Sequence, residues 1–184
     1  MSHFALRDPE AGDADWITAA CQDHEIQRWL PRVPQPYLRE HAEAFIAGAS
    51  GDLRTWVIER DDEPAGVIGV HEAHPATGAA TVGYWIAPWA RRMGAAHHAL
   101  ALVAGHVAEL AEQGELAEGS SGDFAGITRL HAHIALTNRA SRSTAEAAGF
   151  HLVEQSATLT CPDGANHVAT VVYELPLAIR LPGA

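Results

Sequence analysis

The stretch Ala87–Leu100, "APWARRMGAAHHAL", decides how this chain is read. Arg91, Arg92 and Met93 lead into Gly94, Ala95 and Ala96, and an apolar helical repeat begins there. Leu100, Val103, Val107 and Leu110 recur at helix spacing. That spacing predicts a helix over 94–113 with one face packed on a sheet. The first turn of such a helix carries N–H groups with no intrahelical partner and a partial positive charge. Gly94 lets an anion approach the backbone, Ala95 and Ala96 keep the approach clear, and Arg91 and Arg92 add charge. The junction suits a phosphate or pyrophosphate. It is not a P-loop, because no Lys-Ser/Thr follows the glycine, and the G-x-G-x-x-G dinucleotide fingerprint is absent.

Working outward, "ATVGYWIAP" reads as a strand closed by Pro88. The segment before it, "LRTWVIERDDEPAGVIGVHEA", reads as a hairpin turning at "DDEP", with Trp56 and Ile58 alternating with Thr55 and Val57. "HFALRDP" is a first short strand, and helices are expected over Asp13–Gln22 and Leu38–Ala47, with the Pro-rich "LPRVPQPY" as the loop between them. Downstream, "GELAEGSSGDFAG" is expected to be a mobile polar loop. "ITRLHAHIAL" is a strand with Leu130, Ala132, Ile134 and Leu136 on one face. Thr137 or Asn138 caps a short helix that stops at Gly149. "FHLVEQSATLT" and "HVATVVYEL" form a terminal hairpin around "CPDGAN". With no internal repeat and no linker, residues 1–184 are expected to make one domain. The order predicts a mixed α/β fold with a seven-stranded sheet, antiparallel in its N-terminal part, parallel at the centre through a right-handed crossover, with helices on both faces.

Hydrophobic residues make up 47% and charged residues 19%, the balance of a globular chain. Twelve basic against 23 acidic residues give a formal charge of −11, which argues against a nucleic-acid partner. The charge is compatible with a cationic substrate such as an amine, or with solubility alone. The N-terminus lacks a signal-peptide pattern and no apolar run is long enough to span a bilayer, so a cytoplasmic location without a membrane partner is expected. Cys21 and Cys161 show no metal-site spacing and are expected to be free thiols.

The segment "GYWIAPWARRMGAA" resembles the acyl-CoA pyrophosphate loop of the GNAT superfamily of N-acetyltransferases, in particular the branch of the RimJ/RimL ribosomal-protein N-terminal acetyltransferases. Asn138–Phe150, "NRASRSTAEAAGF", is similar to a second motif of that branch. The resemblance implies a GNAT fold, acetyl-CoA as acyl donor, and transfer of acetyl to a primary amine by direct attack. The acceptor would be a protein or peptide N-terminus or a small amine, and a homodimer is compatible with the family. It implies that the strand ahead of the loop splays from its neighbour and sets Trp85, Ile86 and Ala87 against the pantetheine arm of coenzyme A. The backbone from Arg92 and Met93 through Gly94, Ala95 and Ala96 would hold the pyrophosphate, helped by the Arg91 side chain. Asn138 would meet the pantetheine, and the N–H of Ile86 or Ala87 would serve the thioester carbonyl.

Ser141 would sit near the sulfur as the acid for the leaving thiolate, since Ala145 stands where many relatives carry a tyrosine. The Glu that the branch often carries after the loop is His98 here. The base is therefore sought on "HAH", where His131 and His133 share the face opposite the Leu/Ile face. His133 is the first choice, being nearer Asn138. The same pair has metal-ligand spacing, but no third ligand is evident nearby and no metal is expected. His71, Glu72 and His74 close a central strand, as substrate contacts or as solvated loop residues. The replaced Glu and missing tyrosine also keep a non-catalytic acyl-CoA-binding sensor on the same fold as an alternative.

Overall fold

The computed structural model describes residues 2–30, 33–49, 51–116, 124–160 and 167–179. The chain opens with β1 (Phe4–Arg7), α1 (Ala14–Ala20), α2 (His24–Trp29) and α3 (Arg39–Ile46). It continues through β2 (Arg54–Arg60), β3 (Glu63–His74), β4 (Ala79–Ile86) and α4 (Ala95–Leu116), and closes with β5 (Arg129–Ala135), α5 (Arg139–Ala147), β6 (His151–Thr160) and β7 (His167–Pro176). The seven strands lie in the order β1-β2-β3-β4-β5-β7-β6. The expected mixed sheet is present, with antiparallel pairs throughout except the parallel pair β4–β5.

One element departs from the sequence expectation. The short helix α2 lies between the expected helix over Asp13–Gln22 and the Pro-rich loop that begins at Leu30, a stretch to which the sequence assigns no element. Its N-cap Asp23 accepts from the Ile26 N–H at 3.0 Å, a local capping signal. The hairpin turn falls on Asp61 and Asp62, whose φ values of 53° and 66° are the left-handed pair a two-residue hairpin turn requires. α4 runs to Leu116, beyond the expected Gln113. Residues 117–123 of the loop expected to be mobile, and the turn at 161–166, lie outside the described residues.

Two helical layers sandwich the sheet. On one face Leu100, Val103 and Val107 of α4 and Ala145 of α5 pack with Ile58, Ile68, Val70, Val82, Leu130, Ile134 and Tyr173. Burying each such aliphatic side chain contributes about 1.5–3 kcal/mol. On the other face Ala14, Ile17, Ala20 and Ile26 pack around Ala87 and Trp85. A part-buried ion pair ties this layer to the sheet: Arg7 Nη1 reaches Asp13 Oδ2 at 2.7 Å, and Trp16 Nε1 donates to Asp13 Oδ1 at 2.6 Å.

The fold places its opening at β4. Toward β3, pairing runs from Ala79 to Ile86. Toward β5, only Ala79, Ala80 and Thr81 pair, with Arg129, Leu130 and His131. Beyond Thr81 the two strands part, and β5 continues against β7 alone.

Candidate active site

The parting of β4 from β5 leaves backbone groups facing a gap. The Ala87 N–H donates to Ala65 O at 2.9 Å. In an antiparallel pair both backbone groups of one residue point the same way and successive residues alternate. Trp85 and Ala87 therefore face β3, while Tyr84 and Ile86 present N–H and C=O to the gap. The Ile86 carbonyl accepts from Arg91 Nε at 3.3 Å. Of the two N–H groups expected to serve a carbonyl, that of Ala87 is thus occupied and that of Ile86 faces the opening.

The gap widens into a cleft of 640 Å³ bounded by β4, the loop ahead of α4, α2 and α5. Trp85, Ile86, Arg91, Arg92, Gly94, Ala95, Ala96, Asn138 and Ser141 all line it. Ala87, Met93, His131 and His133 do not. Ala87 is buried under α1, and Met93 turns outward with its sulfur 3.1 Å from Arg60 Nη1.

The loop that precedes α4 is shaped by two left-handed residues, Arg92 at φ 61° and Gly94 at φ 85°. The first helical donor is His98 N, to Gly94 O at 3.1 Å. The N–H groups before it are the unfilled donors of the helix start. His98 Nδ1 also donates to Gly94 O, at 2.9 Å, and the ring stacks on Phe4 at 4.2 Å. The residue that replaces the branch's Glu therefore braces the loop. A Cβ at Gly94 would lie 3.3 Å from His98 Nδ1. His97 lines the cleft as well, and its Nδ1 is buried with no partner among the described residues. The unfilled helix-start donors, the glycine cradle and this orphaned nitrogen fit the phosphates of a nucleotide-like group.

Arg91 reaches across to α2: its Nη2 lies 2.5 Å from Asp23 Oδ1. The Arg91 hydrogen bond holds the Asp23 carboxyl below its usual range. The arginine expected on the pyrophosphate is thus also the tie between the loop and the N-cap of α2.

At α5, Asn138 caps the helix, its Oδ1 accepting from Ser141 N at 3.1 Å. The Ser141 hydroxyl sits 3.0 Å from the Tyr84 hydroxyl. Burial pushes the Tyr84 phenol up, against the opposing hydrogen bonds of Ser141 and Thr144, so it stays protonated at neutral pH. Tyr84 was missed in the sequence; the signal was parity, since a strand that turns Trp85 to one face turns Tyr84 to the other. Ala145 is fully buried in the core.

His131 and His133 share a face as expected, with ring centroids 6.4 Å apart. His131 Nε2 is hydrogen-bonded to Glu174 Oε2 at 2.9 Å, and Arg129 Nε lies 3.6 Å from the same oxygen. His133 is solvent-exposed.

With this geometry in hand, comparison with known proteins is specific at the level of family. The model of the acetyltransferase (GNAT) domain matches residues 3–151. No curated protein is close enough in sequence to match the chain. Among solved structures, RimL, a ribosomal L7/L12 alpha-N-protein acetyltransferase in complex with coenzyme A, superposes with a TM-score of 0.75 at 18% identity, over 95% of this chain and 94% of that one. RimJ of Mycobacterium smegmatis, in complex with CoA-disulfide, superposes with a TM-score of 0.74 at 21% identity, over 98% and 85%. Spermidine N-acetyltransferase from Vibrio cholerae, with CoA and spermine, gives 0.69 at 16% identity, over 95% and 96%.

Proposed function

The chain belongs to the GNAT acetyltransferase family, and from that premise we propose that it moves an acetyl group from acetyl-CoA to a primary amine. The observation that carries the proposal is the open edge of β4, with Tyr84 and Ile86 unpaired toward β5, running from the Ser141–Tyr84 hydroxyls to the helix start at Gly94. A pantetheine arm adds to that edge as a strand would, through the backbone groups of Tyr84. The N–H groups from Arg92 to Ala96 receive the pyrophosphate. Bound acetyl-CoA supplies an activated thioester. The Ile86 N–H donates to its carbonyl oxygen, and the Ser141 hydroxyl, backed by Tyr84, gives the departing sulfur its proton. Asn138 holds the α5 N-terminus, and with it Ser141, in place.

RimL acts on a protein N-terminus and the Vibrio enzyme on spermidine. The net charge of −11 favours a cationic amine of either kind. A second reading, an acyl-CoA sensor without turnover, draws on His98: its ring braces the loop where the branch often has a Glu. Calorimetric titration with acetyl-CoA, followed by thiol release with spermidine and N-terminal peptides, separates the two. We expect binding, and release with at least one amine that falls about a hundredfold in Ser141→Ala. Binding with no release on any amine would favour the sensor, and no binding would remove both readings.

A further inference from the structure

We propose that His71, oriented by Asp52, is the base that takes the proton from the acceptor amine; this rests on the acyltransferase reading above. His71 sits at an irregularity of the sheet. β3 pairs with β4 through Val70↔Val82 and resumes at Glu72↔Thr81, so His71 is an extra residue in a β-bulge. A bulge of this kind bends the strand and re-aims its side chain. Val70 points into the core under α4, and alternation turns His71 to the opposite face.

There the ring lies on Gly83. A Cβ at Gly83 would stand only 2.3 Å from His71 Nε2, so the glycine is what lets the imidazole rest on the β4 backbone. Gly83 lies just past Thr81, the last β4 residue paired with β5. Nε2 therefore rests over β4 two residues past the point where its pairing with β5 ends, beside the cleft rather than among the residues that line it. It lies on the side of Trp85, whose ring meets Trp16 of α1 at 5.8 Å, and across β4 from the Tyr84–Ser141 hydroxyls.

The other ring nitrogen is anchored. Nδ1 lies 2.6 Å from Asp52 Oδ1, and Thr55 Oγ1 donates to Asp52 Oδ2 at 3.4 Å. The carboxylate is enclosed and the ring is open, with side-chain exposures of 14% and 40%. A carboxylate only accepts, so in the neutral form of the ring Nδ1 carries the proton and Nε2 is the acceptor; Nε2 takes no hydrogen bond among the described residues and rests over Gly83. His131, on β5 at the other side of β4, has its Nε2 on Glu174 instead.

The two faces of β4 then carry the two proton transfers. The amine nitrogen forms a bond to the thioester carbonyl carbon and loses its proton to His71 Nε2, directly or through one water. The carbon–sulfur bond breaks, its electron pair leaves on sulfur, and the sulfur takes a proton from Ser141. Solvent then takes the imidazolium proton and restores that of the hydroxyl pair, so the sum is amine plus thioester to amide plus thiol.

The test uses the full chain and the amine that wild type acetylates. His71→Ala is expected to lower kcat/KM about a hundredfold or more, with an unchanged Kd for acetyl-CoA, and added imidazole restores part of the rate. Asp52→Asn gives a smaller loss, as a positioning residue. Gly83→Ala displaces the ring and slows turnover with both dyad residues intact. A downfield proton resonance from Nδ1–H is expected in wild type and absent in His71→Ala and Asp52→Asn. Wild-type rates in His71→Ala, a loss that imidazole does not relieve, a wild type without that resonance, or a larger loss in His133→Gln than in His71→Ala would each overturn the assignment while leaving the transferase reading standing. A wild type that binds acetyl-CoA and acetylates no amine would take both down.

Discussion

The two edges of β4 were built from the same eight residues and came out differently. Toward β3 the strand pairs along its whole length, and the close packing is severe enough that a Cβ at Gly66 would meet Trp85 O at 2.3 Å. Toward β5 it pairs over Ala79, Ala80 and Thr81 and then leaves its backbone facing a cleft. Sheet hydrogen bonds are worth most to stability where they are made, and a ligand-binding edge is one where they are withheld. The closed edge holds the fold together, and the open edge leaves backbone groups free for the ligand proposed above. Substitutions on one should damage stability, and on the other binding.

The largest effect is expected on the open side. Gly94→Trp fills the helix start with an indole at a φ of 85°, which disfavours any L side chain by about 1–2 kcal/mol. The Kd for acetyl-CoA should rise more than about a hundredfold, some 2.7 kcal/mol, when titrated by calorimetry. Retained affinity would break the comparison at its centre, because the glycine cradle would then not be the phosphate site.

On the closed side, Gly66→Ala forces a methyl group into backbone that cannot yield. A loss of about 2 kcal/mol is expected in urea unfolding, with acetyl-CoA affinity unchanged in the protein that remains folded. A variant of normal stability and weakened binding would show that the two edges are not separable.

The smallest effect is expected in the layer above the sheet. Burial pushes the Asp13 carboxyl up, but hydrogen bonds from Arg7, Trp16 and the Glu10 N–H outweigh it and hold the pKa at about 2, below the ordinary 3.8. A depressed folded pKa means stability that is present above 3.8 and lost as pH falls toward 2. About 2 kcal/mol should disappear over that window, and less of it in Asp13→Asn, measured by thermal unfolding across pH. At neutral pH the protonation of Asp13 is unchanged, so binding at the open edge should not follow this titration.

The elements that were legible in the sequence are those set by near neighbours. The helix start at "RRMGAA", the alternation of Trp56 and Ile58, and the Asp61–Asp62 turn each depend on a few adjacent residues. The helix α2 was local too, and its Asp23 cap was legible in principle. Most of the cofactor-side residues expected from the motif do line the cleft.

The chemistry beyond that side was decided by pairing over distance. Tyr84 and Ser141 lie 57 positions apart, Arg91 and Asp23 68, and His131 and Glu174 43. Whether Ile86 or Ala87 offers its N–H to the gap depends on the register of β4 against β3. A bulge at His71 turns one imidazole onto Gly83. A strand has a period of two, so one residue of slip exchanges its faces and its free donors. By itself, then, the sequence determined the strands, the helices other than α2 and the glycine loop ahead of α4, because propensity and periodicity act over a few residues. Only the tertiary structure decided which two hydroxyls meet at the opening and which imidazole, held by a carboxylate, rests on the other face of β4, because register is settled by the packing of the whole sheet.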